Sequence, residues 1–437
     1  MSNATPTTPT PTEPLPVPFP AGPAPADAAF SAGRLAAHLI GMTLVQAVSQ
    51  AVVFILPVLA IKHFGAKPWQ SLLITATPTI FFTLSILWHT AFARWKFGSY
   101  MIAYWLLACL PGAAMALVNG YWSLLVLHLI TCVGGAMWPP VSGELLRWLY
   151  ADHLRGRAYG VVWGVTMIGG AVMGYGVGKW LTVDPEAFRI YMPIAAAVQL
   201  VGIVILVGLS RATGHAADRR GGSLGALSLR TITEPIVHMK QVLKADPVFA
   251  RYEAAYMTYG VGWMIAYSLL PLLVTKKLGL DYEEIASSTH VAYLVALVAA
   301  LYPAGLLLDK FGAIRGTGLS FFMLCLHPVG LMAARDQETL TIVSLAYGVA
   351  HSGASVGWML GPVSLAPSKE KVAAYVAIHA TLVGIRGKVF QALGVGLYML
   401  TGVFWVPLLI AAAGYIWAGF QMFNLERFRQ RRADESK

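Results

Sequence analysis

Hydrophobic residues form long blocks along the chain, and short stretches with charged residues, glycines or prolines separate one block from the next. A helix needs about 20 predominantly apolar residues to cross the hydrocarbon core of a bilayer. The blocks reach that length and lack the alternation of polar and apolar positions that is typical of barrel strands. The pattern predicts an all-α membrane protein with twelve transmembrane helices, at residues 36–63, 69–93, 99–119, 121–146, 158–181, 188–210, 250–275, 284–308, 315–334, 339–366, 373–397 and 400–424.

The longest connection between blocks separates two groups of six predicted helices and carries several arginines and lysines. The start of the chain is rich in Pro, Thr and Ala and lacks the apolar core of a signal peptide. We therefore predict five segments: a disordered cytoplasmic tail at 1–33, an N-terminal six-helix bundle at 34–211, a cytoplasmic linker at 212–246, a C-terminal six-helix bundle at 247–425 and a basic cytoplasmic tail at 426–437.

The composition supports a protein of the membrane. Charged residues make up 12% of the chain, whereas soluble globular proteins have roughly 25%. The formal net charge is +11, but the lysines and arginines lie in short clusters between apolar blocks rather than in one basic patch. We therefore expect no nucleic-acid partner. All three cysteines fall inside predicted helices, so neither a disulfide framework nor a metal site is indicated.

The distribution of basic residues predicts the orientation. Most of the 31 lysines and arginines fall in connections that share one side of the membrane if both termini are cytoplasmic. Short cytoplasmic loops carry such an excess of basic residues. The sequence therefore predicts a multi-pass protein of the cell membrane (the inner membrane) with both termini in the cytoplasm. The stretch "AGLLLDKFGAIRG" at 304–316 is then a cytoplasmic connection between predicted helices 8 and 9.

Two short motifs occur once in each group of six helices. "AFARWKFG" at 91–98 matches "GLLLDKFG" at 305–312, and "PPVSGEL" at 139–145 matches "GPVSLAP" at 361–367. Each pair lies at equivalent places in the two groups, which indicates a duplicated bundle. Duplicated bundles in membrane transporters place the binding site between the halves, near the middle of the membrane.

Over residues 34–425 the sequence resembles the major facilitator superfamily. The family's loop signature, in which glycines bracket an acid and a base and a further base follows, is matched by Gly305, Asp309, Lys310, Gly312 and Arg315. The resemblance implies two pseudo-symmetric six-helix bundles that move a solute by alternating access. It also implies that this loop is a cytoplasmic gate.

In that gate Asp309 is expected to face the start of helix 5, next to Arg155 and Arg157. An anion at a helix N-terminus gains about 0.3–1 kcal/mol, and more when it is partly buried. The N-terminal copy of the motif departs from the signature, since Ala91 replaces the glycine and Trp95 replaces the acid. Only one of the two gate motifs is therefore intact.

Arg386 is the ionisable residue that the sequence places nearest the middle of the membrane, within "GIRGK" of predicted helix 11. A charge at that depth is costly and is a functional candidate by default. The functional interpretation is a cavity cation that binds an anionic group or pairs with a coupling acid. The structural alternative is an arginine that is bonded to backbone carbonyls between helices. Lys388 points to another side of the helix, and we expect it to extend toward the membrane surface.

Two carboxylates are candidates for proton coupling. Glu253 lies early in predicted helix 7, two residues after Arg251, and Glu144 lies near the inner end of predicted helix 4. The alternative for both is an ion-paired residue at the cytoplasmic mouth. Uniport or coupling through histidine would also fit, because five histidines fall within predicted spans: His128, His290, His327, His351 and His379. Each of these histidines is either a proton relay or a packing residue.

The remaining cavity candidates come from helices 1, 4, 7 and 10, which line the cavity in the family that the sequence resembles. They are polar or aromatic residues within predicted spans: Gln46, Gln50, Trp138, Tyr256, Tyr259, Trp263, His351, Ser355 and Trp358. Glutamine is costly against lipid and is expected to face inward. For the aromatic residues, packing inside a bundle is the alternative role.

The sequence thus predicts a secondary active or facilitative transporter for a small solute, with an anionic solute and a coupling proton as candidate partners besides the lipid bilayer. We expect a monomer. No phosphate loop, nucleophile triad or metal cluster is present, so no enzyme activity and no cofactor are predicted. The alternative is a non-transporting protein of the same fold that acts as a scaffold, receptor or assembly factor for another membrane component.

Overall fold

The computed structural model describes residues 31–214, 229–368 and 371–435, and this part of the chain is helical almost throughout. In the N-terminal half the long helices are α1 (Ala32–Lys62), α2 (Pro68–Phe82, continued by Ser85–Arg94), α3 (Phe97–Leu117), α4 (Tyr121–Leu149), α5 (Asp152–Val183) and α6 (Phe188–Ala212). In the C-terminal half they are α7 (Pro247–Lys277), α8 (Tyr282–Phe311), α9 (Ala313–Ala333), α10 (Gln337–Leu365), α11 (Val372–Thr401) and α12 (Trp405–Glu435). A further helix, Leu229–Ala245, lies between α6 and α7.

Within the described residues, nine helices are long and apolar enough to cross a membrane: α1, α3, α4, α5, α6, α7, α8, α9 and α12. The other three lie where the sequence predicts spans. Of these, α2 is interrupted by a turn after Phe82, and α10 and α11 carry polar residues such as His351 and Arg386 in their central parts. The predicted all-helical membrane fold is confirmed, while the count of twelve spanning helices stays a prediction.

The structure departs from the predicted segments most clearly in two places. The last helix continues to Glu435 instead of ending at 424, because the sequence "LERFRQRRADE" consists largely of good helix formers. The predicted linker contains the helix Leu229–Ala245. The predicted disordered tail lies outside the described residues up to residue 30, and Ser31 then caps the start of α1.

Glycines on α5 allow the two halves to approach closely. The sequence "GGAVMGYGVG" places Gly170, Gly174 and Gly178 one turn apart. A Cβ atom at Gly174 would lie 2.5 Å from the ring of His290 on α8, and one at Gly178 would lie 2.5 Å from the side chain of Ala286. Small residues at such spacing allow helices to pack with their backbones close together. Gly174 and Gly178 are therefore helix contacts between the two halves.

Polar contacts connect the halves at the closed end of the bundle, which we define by the connections 62–68, 183–188 and 277–282. Lys62 Nζ donates to the carbonyl of Leu280 at 2.6 Å, and the hydroxyl of Tyr175 donates to Glu283 Oε1 at 2.7 Å. The backbone N–H of Glu283 donates to Thr182 Oγ1 at 2.8 Å. These contacts run from α1 and α5 to α8 and the residues before it.

Adjacent glycines on α4 give a matched test of the packing. A Cβ atom at Gly134 would lie 2.6 Å from the carbonyl oxygen of Leu107 and even closer to the backbone of Ala108, whereas Gly135 has no atom within 4 Å. Backbone atoms cannot move aside cheaply, so Gly134→Ala is expected to lower the free energy of unfolding by about 1–3 kcal/mol.

Thermal unfolding of the purified protein, followed by tryptophan fluorescence, would measure the effect. Gly135→Ala is the control and should change the free energy of unfolding by no more than about 0.5 kcal/mol. Equal melting temperatures for the two variants would contradict the close approach of α3 and α4.

Candidate functional site

A cavity of about 1190 Å³ lies between the two halves. Its walls come from α2 and α5 in the N-terminal half and from α7, α8, α10 and α11 in the C-terminal half. The exposed residues Gly156 and Arg157, in the first turns of α5, lie at its mouth. The mouth is therefore at the end opposite to the closed end, and we call it the open end, defined by the connections 149–152 and 311–313 and by residues 365–368 after α10.

Arg386 forms part of the inner wall and is 2% exposed. Its Nη1 donates to the backbone carbonyl of Tyr256 at 2.7 Å, and its guanidinium lies 5.4–5.9 Å from the ring centres of Tyr256, Tyr259 and Trp263. A side chain at Gly260 would overlap the stem of this arginine. The Nε atom is buried without a hydrogen-bond partner. Arg386 therefore combines the carbonyl contact that is expected of a structural arginine with a position in the cavity wall.

The glycines around Arg386 have a packing role. A Cβ atom at Gly384 would lie 2.6 Å from Thr83 Cγ2, and one at Gly387 would lie 2.7 Å from Thr79 Cβ. Thr79 belongs to α2 and Thr83 to the turn that interrupts it, so the two glycines allow α11 to pack tightly against the other half. Arg386 projects from a different side of α11, toward α7.

His351 is held between two tyrosine hydroxyl groups. Its Nε2 lies 3.1 Å from the hydroxyl of Tyr259, and its Nδ1 lies 2.7 Å from the hydroxyl of Tyr293. Its ring is nearly parallel to that of Tyr347, at 8° and 5.2 Å. Together with Trp263, it separates the main cavity from a second one of about 400 Å³ that lies toward the closed end. His351 therefore stands in the wall between two cavities.

Glu253 and His379 form a buried pair between α7 and α11. Both carboxylate oxygens lie 2.9 Å from His379 Nδ1, and the two side chains are 3% and 2% exposed. The rings of Tyr256 and Trp358 pack around the histidine at 4.7 and 5.3 Å. His379 Nε2 has no hydrogen-bond partner. The pair thus lies behind two residues of the cavity wall.

Arg251 does not supply the ion pair of Glu253 at the mouth of the cavity. Residues two apart on a helix point in nearly opposite directions, and the guanidinium of Arg251 instead stacks on Phe428 of α12 at 3.6 Å. Glu144, the other candidate acid, accepts a hydrogen bond from Arg147 Nη1 at 2.8 Å on the same helix. This contact agrees with the ion-pair alternative for Glu144.

The other predicted cavity residues fall into two groups. Gln50 lines the smaller cavity, while Ser355 and Trp358 line the larger one. Trp138 packs on Tyr104 of α3 with ring centres 5.4 Å apart, and Gln46 lies next to the hydroxyl of the same tyrosine. Neither Trp138 nor Gln46 lines one of the two cavities described here, because both pack inside the N-terminal half.

The predicted gate loop is a tight turn at the open end. Gly312 has a φ of 83°, a conformation that favours glycine, and it separates α8 from α9. Asp309 and Lys310 are exposed, and within the described part of the chain Asp309 makes no ion pair. Arg315 Nε lies 3.8 Å from Glu426 of α12.

The residues expected opposite this loop are also at the open end. Arg155 donates to the carbonyls of Tyr150 and Arg147 at 3.1 and 3.3 Å, and Arg157 is exposed at the cavity mouth. Gly305 is partly exposed within α8. The contact of Asp309 with the start of α5 stays a prediction.

Sequence reasoning did not single out Tyr293 or Thr79, and it named His379 only as one of five histidines within predicted spans. One signal was available for His379: it lies seven residues, or two helical turns, before Arg386, so the two share a face of α11. No signal in a single sequence indicates that α7 packs against α11 and α2. No group of three or more His, Cys, Asp or Glu side chains that could hold a metal ion occurs among the described residues.

Comparisons with known proteins agree with this architecture. A sequence model described as "Major Facilitator Superfamily" matches residues 38–387. Similar solved structures include a POT family transporter in complex with 5-aminolevulinic acid (TM-score 0.68, 12% identity, 92% of this chain and 96% of that chain). They also include the nucleoside transporter NupG (TM-score 0.66, 12% identity, 90% of this chain and 99% of that chain). A third is the human organic anion transporter MFSD10 (TM-score 0.63, 12% identity, 89% of this chain and 98% of that chain). No curated protein is a significant match.

The buried pair predicts a marked asymmetry between two substitutions. His379→Ala leaves a buried carboxylate without its partner, which is expected to cost about 3–5 kcal/mol of unfolding free energy. His379→Gln keeps a side-chain N–H donor for the carboxylate of Glu253 and should cost less than half as much. Thermal unfolding of both variants would measure the difference. Equal losses, or no loss for His379→Ala, would contradict a pair that is buried and energetically coupled.

Proposed function

Because the chain belongs to the Major Facilitator Superfamily, whose members among the similar structures are transporters of small solutes, we propose that it is a secondary transporter that works by alternating access. One observation supports this mechanism most directly: the cavity between the halves has a mouth at one end, while polar contacts connect the halves at the other. Most of the 31 lysines and arginines fall in the connections, linker and tails of the predicted cytoplasmic side, which is the side of the open end, and this favours a cytoplasmic position for the mouth.

We further propose that the contacts at the closed end are the outer gate. Polar contacts at or near the protein surface contribute about 0–1 kcal/mol each. The small set formed by Lys62, Thr182, Tyr175 and Glu283 can therefore break and form again during each cycle. The two halves would then rock about the close packing of α2 with α11 and of α5 with α8 at Gly174 and His290, whereas the contact of Gly178 with Ala286, next to the gate residues, would open with the gate.

The loop at Gly312 is proposed as the inner gate. The first N–H groups of a helix have no partner within the helix, and α5 begins after Ala151, whose side chain provides no cap. The start of α5 can therefore accept an anion, and Asp309 is an exposed acid on the opposite half. When the open end closes, Asp309 would reach these N–H groups.

The proposed proton site is the pair of Glu253 and His379. Arg386 and His379 both contact Tyr256, Arg386 through the backbone carbonyl and His379 through the ring, so the protonation state of the pair changes the charge that balances the guanidinium. Protonation of Glu253 leaves Arg386 without its balancing charge and favours binding of an anion in the cavity. This connection couples a proton to the solute without a carboxylate in the cavity wall.

Asp309→Asn is expected to slow transport. The amide loses the charge that stabilises the closed inner gate, a contribution of about 1–2 kcal/mol if partly buried, so uptake should fall about 5- to 30-fold. Solute binding should be unchanged. The measurements are uptake of a panel of labelled solutes into proteoliposomes and thermal shift for binding.

Asp336→Asn is the matched control for this substitution. Asp336 is an exposed acid at the other end of the bundle that caps α10, and asparagine caps helices equally well. Unchanged uptake by the Asp309 variant would remove Asp309 from the gate. Failure of the unaltered protein to transport any solute of a broad panel would favour the scaffold alternative.

Glu253→Gln is expected to abolish accumulation driven by a pH gradient, because glutamine cannot release a proton. Exchange of labelled for unlabelled solute across the same vesicles should continue, since exchange needs only the movement of the loaded protein. Glu338→Gln, at an exposed acid in the first turn of α10, is the control. Accumulation that persists in the Glu253 variant would rule out this acid as the proton site.

A further inference from the structure

The charges in the main cavity all have the same sign. Arg157 at the mouth and Arg386 at the inner wall are the two charged residues among those that line it, and no Asp or Glu is among them. An ammonium group or another cation would find no partner of opposite charge in this wall. The cavity therefore selects for anions, first at its exposed mouth and then at its buried arginine.

Arg386 has hydrogen-bond donors to spare. A guanidinium has five N–H groups, and the described contacts are one hydrogen bond from Nη1 to the carbonyl of Tyr256 and the cation–π contacts with its neighbours. The Nε atom is buried and has no hydrogen-bond partner. The remaining N–H groups are on Nη1 and Nη2, and a carboxylate can accept two hydrogen bonds from them.

The rest of the wall near Arg386 is apolar. It consists largely of aromatic rings and aliphatic side chains, among them Trp263, Trp358, Val298, Leu301 and Val383. The tyrosine hydroxyls do not make it polar, because that of Tyr256 donates to the carbonyl of Ala354 and that of Tyr259 contacts His351. A sugar or another polyhydroxylated solute would lose its hydrogen bonds with water without replacement.

We propose that the substrate is an apolar organic monoanion, whose carboxylate binds Arg386 and whose aromatic or branched aliphatic body packs against Tyr259, Trp263 and Trp358. This inference rests on the proposed transport function and specifies its substrate class. The cavity of about 1190 Å³ has room for a body larger than a single ring.

The charge balance limits the substrate to one negative charge. One incoming anionic group is matched by one proton on the pair of Glu253 and His379, after which the buried charges again cancel. A dianion would require a second buried cation, and the other arginine of the wall, Arg157, is exposed at the mouth. Dicarboxylates and phosphate monoesters are therefore excluded from the substrate class.

Binding to the purified full-length protein, measured by isothermal titration calorimetry, tests the substrate class with four probes. Naphthalene-2-carboxylate is expected to bind. Its neutral amide, naphthalene-2-carboxamide, tests the charge, naphthalene-2,6-dicarboxylate tests the second charge, and gluconate tests the apolar body. Each of these three should bind at least tenfold more weakly. No binding of naphthalene-2-carboxylate, or equal binding of the amide, the dicarboxylate or gluconate, would overturn the proposal.

A variant series tests the role of Arg386. Arg386→Lys keeps the charge but loses the planar set of donors, so the affinity for naphthalene-2-carboxylate should fall at least tenfold. Lys388→Gln removes an exposed cation from the same helix and should leave this affinity unchanged. Equal affinities for the two variants would overturn the assignment. If Arg386→Lys does not fold, the four probes on the unaltered protein still decide the substrate class.

Uptake into proteoliposomes separates this inference from the proposed function. Binding of the monoanion without uptake of any solute would contradict transport and leave the binding site in place. Uptake of a neutral or cationic solute in preference to naphthalene-2-carboxylate would support transport and overturn the substrate class.

Discussion

The burial of one guanidinium determines much of the C-terminal half. Taking a charge out of water costs several kcal/mol even after the protein relaxes, so the surroundings of Arg386 must compensate for that loss. Most of the compensation comes from α7, through the carbonyl of Tyr256, three aromatic faces and the nearby carboxylate of Glu253. Gly260 on the same helix leaves the space for the arginine stem. A single residue of α11 thus restricts which residue types can stand along one face of α7.

The two halves meet through contacts of two different kinds. Glycines on α5 and α11 allow close packing over a long interface, which contains few polar groups and therefore changes little in energy when helices tilt against each other. At the closed end the halves also make polar contacts that are exposed or part-buried, and each is individually weak. Tight packing near the middle of the bundle and weak polar contacts at its end are what a rocking motion requires.

Hydropathy alone predicted the helices to within a few residues at most boundaries, because the length of a spanning helix is set by the bilayer. It also identified Arg386, since a charge in an apolar block stands out. The pair of Glu253 and His379 could not be predicted, because it depends on which helices are neighbours. The direction of Trp138 toward α3 depends on the same information. The extension of α12 to Glu435 was missed because its last turns are polar and carry no hydrophobic signal.

The two tyrosine hydroxyls on His351 cannot both donate to a neutral imidazole, which has one N–H group and one lone pair. If Tyr259 donates, the ring must donate to Tyr293, and the reverse tautomer reverses both hydrogen bonds. The hydrogen-bonded series Tyr259–His351–Tyr293 therefore has a dipole whose direction depends on the tautomer of His351. Its heavy atoms occupy the same positions in either state. A charge that enters the larger cavity stabilises one of the two directions of this dipole. The wall between the cavities then presents a different dipole to the smaller cavity. A charge in the larger cavity thus changes the electrostatic environment of the smaller one, even while no solute passes between them.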